Sequence, residues 1–172
     1  MPMEIRSNLM RKGGITSLKL LMEIIISSST EQTQELGAKL GRLSQPRDVI
    51  LLVGNLGAGK TCLTQGIATG LAIDEYAVSP SFTIMRQYRG VLPLYHFDFY
   101  RLDSVDDIYD LGMDDYLYGD GLCVIEWAEK GMELMPDERL LIEMEYVSEN
   151  ERRLTIQANG ERYIRMLNEL KA

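Results

Sequence analysis

The sequence predicts an α/β fold with a mixed, mostly parallel central sheet, helices on its faces and an antiparallel C-terminal hairpin. Val49–Val53 and Leu122–Ile125 are uninterrupted apolar runs, which is typical of strands covered on both faces in a parallel sheet. Segments with apolar residues at helical spacing separate such runs. Arg139–Val147 and Arg152–Ala158 flank a polar turn and indicate the two strands of the hairpin.

The first strand and helix are predicted from an apolar run and a capping signal. Ile24–Ile26 indicates a short buried strand. Ser29, followed by Gln32 three residues later, matches a capping box that starts a helix. This helix is expected to continue to about Leu43, because Pro46 prevents any further extension.

The middle and the end of the chain predict a second hairpin and three more helices. Phe82–Tyr88 and Leu92–Phe97 flank a tight turn and are predicted to pair. Ser104–Tyr118 indicates two short helices that are broken near Gly112. A C-terminal helix is expected from about Glu161.

The domain organisation is predicted as an N-terminal extension over residues 1–21, outside the fold, and a single domain over residues 22–172. The extension has a basic bias but lacks a signal-type cleavage site after its two final leucines. A clean strand pattern begins only at Met22. We therefore assign no function to the extension.

Composition and charge exclude several classes of protein. With 45% hydrophobic and 26% charged residues, the chain falls in the ordinary globular range. The formal net charge of -8 opposes unaided binding to nucleic acid or to an anionic membrane, so we expect any contact with RNA to be indirect. No apolar run reaches the roughly 18 residues that span a membrane. Only Cys62 and Cys123 are present, which indicates reduced thiols and a cytoplasmic protein.

A phosphate-binding loop is predicted where the strand Val49–Val53 meets a helix over Lys60–Leu71. Gly54–Thr61 fits the Walker A form, with two glycines, a lysine and a hydroxyl residue at the required spacing. Backbone N–H groups of such a loop surround phosphate oxygens, and the helix presents its positive end to them. A simple glycine turn would explain the glycines but not Lys60 and Thr61. Lys60 is expected to reach the β- and γ-phosphates, and Thr61 to ligate Mg²⁺.

Two acidic residues at predicted strand ends complete the expected site. Asp98 follows Leu94–Phe97, and Glu126 follows Leu122–Ile125. The carboxyl ends of parallel strands form the ligand crevice of such sheets, so both acids should face the phosphates. We expect Asp98 to serve Mg²⁺ directly or through water. Glu126 either joins the outer sphere of the metal or orients the attacking water.

The nucleotide is predicted to be ATP. No asparagine is followed by lysine, and no aspartate has glycine three residues later, so the elements by which GTPases bind guanine and the γ-phosphate are missing. A small-molecule kinase is a competing hypothesis. It is disfavoured because residues 98–129 contain ten acids and only Arg101 as a base, which would repel an anionic acceptor. A binding module gated by nucleotide is a further alternative.

Four segments together resemble the TsaE family, also called YjeE, in order and spacing: Gly54–Thr61, Ser79–Thr83, His96–Arg101 and Glu126–Glu129. These are bacterial P-loop ATPases of the pathway that places threonylcarbamoyl on adenosine 37 of tRNAs reading codons that start with A. The resemblance implies a P-loop NTPase-like sheet, weak ATP hydrolysis with Mg²⁺, and the partners TsaB and TsaD. It also implies that tRNA is met only through that complex, whose turnover needs the ATPase. The oligomeric state stays open.

The resemblance assigns roles to individual positions. It implies a nucleotide site at Asn55, Leu56, Gly57, Ala58, Gly59, Lys60, Thr61, Cys62 and Trp127. The switch I segment falls on Ser79, Pro80, Ser81, Phe82 and Thr83. Lys60, Asp98 and Glu126 are the expected catalytic residues, and Thr61, Asp98 and Glu126 the expected metal ligands. The residues themselves leave Trp127 open as a core or partner-facing anchor. His96 is interpreted as a strand residue satisfied by packing and a hydrogen bond.

Overall fold

Strands and helices follow the predicted order in the computed structural model, which describes residues 18–172. The strands are β1 (Leu20–Ser27), β2 (Val49–Val53), β3 (Met85–Tyr88), β4 (Leu94–Asp98), β5 (Leu122–Glu126), β6 (Arg139–Tyr146) and β7 (Arg152–Asn159). The helices are α1 (Thr30–Leu43), α2 (Lys60–Gly70), α3 (Val105–Tyr109), α4 (Asp114–Leu117) and α5 (Glu161–Lys171). A 3₁₀ helix, Ala128–Leu134, follows β5.

The strands form one mixed sheet in the order β1-β7-β6-β2-β5-β4-β3. The centre is parallel, because β2 pairs with β5 and β6, and β4 pairs with β5. The margins are antiparallel, through the pairs β1–β7, β6–β7 and β3–β4. The predicted α/β class with a mostly parallel centre is confirmed. Because β2, β4 and β5 are parallel, their carboxyl ends meet at one edge of the sheet.

Apolar layers cover both faces of the central strands. Ile50 and Leu52 of β2 belong to a cluster with α1, α2 and α5. Val49 and Leu51 belong to a cluster on the other face, with α3, α4 and the 3₁₀ helix. All four residues are at most 1% exposed, which explains the uninterrupted apolar run. No helix within residues 18–172 is both long and apolar enough to cross a membrane.

The N-terminal boundary differs from the prediction. β1 begins at Leu20, so the predicted division between residues 21 and 22 falls inside this strand. Leu20 and Leu21 pair with Asn159 and Ala158 at the end of β7. The strand starts early because β7 offers backbone partners that a local apolar pattern does not reveal. Residues 1–17 of the predicted extension lie outside the described part of the chain.

The predicted strand Phe82–Tyr88 is three residues too long. Residues 81–83 form a turn, and β3 starts only at Met85. The Ile84 amide donates to the Pro80 carbonyl at 2.6 Å, and Ile84 adopts a left-handed φ of 68°. This chain reversal leaves the Phe82 side chain 83% exposed. Aromatic and β-branched residues favour a strand, but the local turn prevails here.

Glycines allow α1 and α2 to pack closely. A Cβ at Gly66 of α2 would lie 2.1 Å from the carbonyl oxygen of Gln34 in α1. A Cβ at Gly37 of α1 would lie 2.3 Å from the carbonyl oxygen of Leu63. Such distances are far inside van der Waals contact, so both backbones can approach only without side chains. The close approach fixes α2, and with it the loop that precedes α2.

We predict that Gly66→Ala destabilises the fold. Alanine normally stabilises a helix interior by about 0.5–1 kcal/mol relative to glycine. Here the added methyl group meets the Gln34 carbonyl, and overpacking typically costs about 1–3 kcal/mol. Urea denaturation should show a lower free energy of unfolding. Thr69→Ala, at an exposed position of the same helix, is the control and should change it by less than about 0.5 kcal/mol. A Gly66→Ala protein as stable as the parent would contradict this packing argument.

Candidate functional site

The Walker A segment forms a loop between β2 and α2, as predicted. Its glycines Gly54, Gly57 and Gly59 have φ of 146°, 80° and 103°. At Gly54 the chain also passes close to β6, where a Cβ would lie 2.3 Å from the Met144 carbonyl oxygen. Glycine alone combines this backbone with such close contact. The loop leads directly into α2, whose first N–H groups are free to bind an anion.

The ammonium group of Lys60 is buried inside this loop. Lys60 is 5% exposed, and its Nζ donates to the carbonyl oxygens of Gly54 at 2.6 Å and Asn55 at 3.0 Å. Burial lowers the pKa of Lys60, and three acidic side chains partly offset this effect: Glu126, Glu129 and Asp98. The lysine is therefore a cation with little hydration, held where the backbone surrounds a phosphate in this type of loop.

The two predicted acids meet at the sheet edge beside the loop. Asp98 ends β4 and Glu126 ends β5, and the two are paired neighbours in the parallel register. Each is 2% exposed. The Phe99 amide donates to the Glu126 carbonyl at 3.1 Å, which continues the pairing past the end of β4. The structure thus brings together the acids that sequence order placed 28 positions apart.

Glu126 is hydrogen-bonded to α2. The Thr61 hydroxyl lies 3.1 and 3.2 Å from the two carboxylate oxygens of Glu126 and donates to that carboxylate. The Thr64 hydroxyl lies 3.4 Å from Oε1 but closer, at 3.0 Å, to the Lys60 carbonyl oxygen. His96 Nε2 lies 3.1 Å from Oε1. A carboxylate buried in this way depends on these donors.

Sequence reasoning missed Thr64 and did not connect His96 with Glu126. Thr64 follows Thr61 by three positions, so both side chains lie on one face of α2, and this spacing was the available signal. His96 is fully buried on β4. It is a strand residue with packing and a hydrogen bond, as interpreted from the sequence, but its partner is a residue of the site.

Asp98 connects the sheet edge to the predicted switch I segment. Its Oδ2 accepts a hydrogen bond from the Ser79 hydroxyl. Its Oδ1 accepts from the Tyr100 amide at 2.8 Å. Asp98 is thus held in place from both sides, by the segment that precedes β3 and by the chain that leaves β4.

A cavity of about 400 Å³ lies between these groups. Its walls are formed by Leu56, Gly57, Gly59, Lys60, Thr61, Cys62, Ser79, Ser81, Asp98, Tyr100, Arg101, Glu126 and Trp127. Two of the predicted nucleotide-site residues are not part of the wall: Ala58 is 1% exposed beneath the loop, and Asn55 turns its carbonyl to Lys60. Of switch I, only the two serines line the cavity, and Pro80, Phe82 and Thr83 do not.

Aromatic rings close one side of this cavity. The Trp127 ring lies 4.3 Å from Lys60 Nζ and packs on Tyr100 with ring centroids 4.9 Å apart. Trp127 is half-buried and has a left-handed φ of 57° directly after β5. Arg101, another residue of the wall, places its guanidinium 4.0 Å from the Phe82 ring centroid. Trp127 therefore belongs to the cavity wall, one of the positions that the sequence left open.

A larger cavity elsewhere has the wrong charge for a phosphate. It measures about 710 Å³ and lies between α3, α4 and the 3₁₀ helix. Its charged lining consists of Asp110, Asp114, Asp115 and Glu133. The cavity at the Walker A loop instead has two bases, Lys60 and Arg101, beside its two acids, and it adjoins free helix N–H groups. Its chemistry, rather than its volume, makes it the candidate anion site.

Comparisons with known proteins agree with the resemblance seen in the sequence. The profile of the family described as "TsaE: Threonylcarbamoyl adenosine biosynthesis protein TsaE" matches residues 27–154. A "tRNA threonylcarbamoyladenosine biosynthesis protein TsaE" from Bacillus subtilis (strain 168) is 44% identical over 141 residues, covering 81% of this chain and 88% of that protein. The protein of the same description from Treponema pallidum (strain Nichols) is 40% identical over 131 residues, covering 76% and 97%.

A solved structure agrees as well. The crystal structure of Bacillus subtilis YdiB superimposes with a TM-score of 0.75 at 37% sequence identity, and the match covers 91% of this chain and 97% of that one. Fold, profile and relatives thus agree over most of the described residues. The chain belongs to the TsaE family of threonylcarbamoyl adenosine biosynthesis proteins.

Proposed function

We propose that the chain binds ATP with Mg²⁺ and hydrolyses it slowly at the cavity beside the Walker A loop. The hydrogen bond between Thr61 and Glu126 is the observation that carries this proposal. A threonine hydroxyl has one hydrogen to donate, and Thr61 uses it in the hydrogen bond to the Glu126 carboxylate. Its lone pairs are then free for a cation, as in other P-loop sites where this hydroxyl ligates Mg²⁺.

The donor set fits Mg²⁺. Thr61, Asp98 and Glu126 offer only oxygen, the ligand type that this ion prefers. Within residues 18–172, no group of three or more His, Cys, Asp or Glu side chains could hold a metal by itself. Mg²⁺ characteristically binds one or two protein ligands together with substrate phosphates, so a bound nucleotide would complete the site. The ion would neutralise charge on the β- and γ-phosphate oxygens.

In this proposal, the protein's own groups bind the phosphates and orient the metal and the attacking water. Backbone N–H groups of the loop and of α2 would hold the phosphate oxygens. Lys60 would exchange its two backbone carbonyl partners for the β- and γ-phosphates. Asp98 would serve the metal directly or through water, and Glu126 would support its outer sphere or orient the attacking water. Trp127 and Tyr100 would cover the phosphates and limit access of bulk water.

The wider role that we propose is that of an ATPase subunit in the cytoplasmic machinery that forms N6-threonylcarbamoyladenosine at position 37 of tRNAs. Hydrolysis would enable turnover of the TsaB–TsaD complex. Membership in the family supports this assignment. The net charge of -8 supports contact with tRNA through the complex rather than directly.

A nucleotide-gated binding module is a second candidate, supported by the surface around the cavity. Leu56 is 80% exposed and Phe82 is 83% exposed, and both lie at its mouth or in the adjoining segment. Large apolar side chains exposed beside a ligand site are typical of a surface that meets another protein. In this hypothesis, occupancy of the site matters and hydrolysis is incidental.

Lys60→Ala is predicted to abolish multiple turnover of tRNA modification with purified TsaB and TsaD. Loss of a hydrogen-bonded charge weakens phosphate binding by about tenfold or more. Product formed per TsaD should fall to about one, and ATP affinity by calorimetry should fall in parallel. Lys39→Ala, which removes an exposed lysine of α1, is the control and should behave as the parent. Undiminished product from the Lys60→Ala protein would refute the proposed role.

Asp98→Asn should raise the Mg²⁺ concentration needed for half-maximal ATP hydrolysis by about tenfold, because the variant keeps an acceptor for the Tyr100 amide but loses the charge that faces the metal. The measurement is a Mg²⁺ titration at saturating ATP. Asp103→Asn alters an exposed acid in the same connection after β4 and should leave the titration unchanged. Identical titrations for the two variants would remove Asp98 from the metal site.

The second candidate predicts that affinity for TsaB–TsaD is at least about tenfold higher with ATP than with ADP or without nucleotide, the difference that about 1.4 kcal/mol of coupling produces. Phe82→Ala should reduce the ATP-dependent gain. Tyr109→Ala, which changes a 72% exposed aromatic residue of α3, provides the matched control. Equal affinities in all three nucleotide states would dismiss this candidate.

A further inference from the structure

His96 is a buried polar residue, and only one of its two ring nitrogens has a hydrogen-bond partner among the described residues. It is 0% exposed on β4, and Nε2 faces Glu126 Oε1 at 3.1 Å. Its Nδ1 is buried and has no hydrogen-bond partner among residues 18–172. On the same face of β4, Leu94 packs into the apolar cluster that includes α2. An aliphatic residue at position 96 would avoid the unpaired nitrogen, so the imidazole requires an explanation.

Hydrogen-bond chemistry fixes the direction of the contact with Glu126. A carboxylate only accepts, so the proton lies on His96 Nε2 and the imidazole donates. His96 is therefore a donor directed from Nε2 at one oxygen of Glu126.

Glu126 needs this donor because its other contacts come from one side. Thr61 donates from α2, and the single proton of Thr64 is directed mainly to the nearer Lys60 carbonyl. His96 approaches from β4, the neighbouring strand. Two donors from different elements fix the carboxylate, whereas Thr61 alone would leave it free to rotate about its terminal bonds.

We propose that His96 is a positioning residue for the proposed ATP hydrolysis: its Nε2–H holds the Glu126 carboxylate in the orientation that accepts the Thr61 proton. His96 does not line the nucleotide cavity, so it touches neither nucleotide nor metal and acts only through Glu126. The proposal rests on the ATPase function proposed above. It assigns to the unique histidine of the chain the task of keeping the Thr61 lone pairs available to Mg²⁺.

Two amide substitutions separate this role from simple packing. In His96→Gln, the side-chain nitrogen can occupy the position of the imidazole Nε2 and donate to Glu126. In His96→Asn, the amide ends one bond earlier and cannot reach Glu126. Both variants are polar, uncharged and similar in size to histidine or smaller. If position 96 needed only a polar group for packing, the two variants would therefore have the same activity.

We expect His96→Gln to keep kcat within about threefold of the parent and His96→Asn to lower it by about tenfold or more, the factor typical of losing a hydrogen bond to a charged group. KM for ATP should change less than kcat, because the Walker A loop is intact. Thermal unfolding of both variants verifies that they are folded. Equal kcat for two folded variants would overturn the proposal.

A second measurement does not depend on hydrolysis. Calorimetry gives the Mg²⁺ concentration that supports half-maximal binding of ADP, and His96→Asn should raise this concentration by about tenfold. In a Glu126→Ala background the same substitution should have no further effect, since His96 acts through Glu126. A full effect of His96→Asn in that background would overturn the proposal. Absence of hydrolysis in the parent protein with its partners would contradict the proposed ATPase, while this binding comparison would still test His96.

Discussion

The buried carboxylate of Glu126 is the constraint on which the site depends. A charge that is 2% exposed destabilises a fold by several kcal/mol unless hydrogen bonds replace its hydration. Its donors come from α2 and β4, so the charge is tolerated only when helix and sheet edge are correctly assembled. The glycine contacts between α1 and α2 bring the helix to that position. Packing far from the cavity thus determines whether Thr61 meets Glu126.

The charges around the cavity are consistent with the proposal that nucleotide and cation bind together. The charges of Glu126, Glu129 and Asp98 raise the pKa of Lys60 and so partly offset the effect of its burial. Arg101 is the other base in the cavity wall. The wall thus holds two acids, Asp98 and Glu126, beside these two bases, and a third acid, Glu129, acts on Lys60 from outside the wall. A triphosphate alone would add negative charge that the two bases, already balanced by two acids, do not compensate, whereas a triphosphate with Mg²⁺ would bring its own compensation. In the proposed function, the acids would favour the metal complex, and the loop N–H groups would bind the phosphates.

The sequence predicts local features of this protein well and long-range ones poorly. The Walker A loop and the apolar strands follow from residue spacing, because glycine conformation and burial on both faces are local requirements. The positions of Asp98 and Glu126 follow from a general rule about strand ends. The early start of β1 and the partner of His96 depend on strands distant in sequence, so no local pattern could reveal them. The prediction for residues 82–84 failed for another reason. These residues favour a strand, but the hydrogen bond from the Ile84 amide to the Pro80 carbonyl holds them in a turn.

That turn shows how the segment next to the cavity is held under strain. Ile84 is β-branched and has a φ of 68°, a conformation that costs on the order of 1–3 kcal/mol. Its amide bond to Pro80 and the bond from Ser79 to Asp98 stabilise this arrangement. One of these two bonds ends on an acid that we assign to the metal. A cation at the proposed metal site would therefore share the Asp98 carboxylate with the hydroxyl that holds the start of this strained segment.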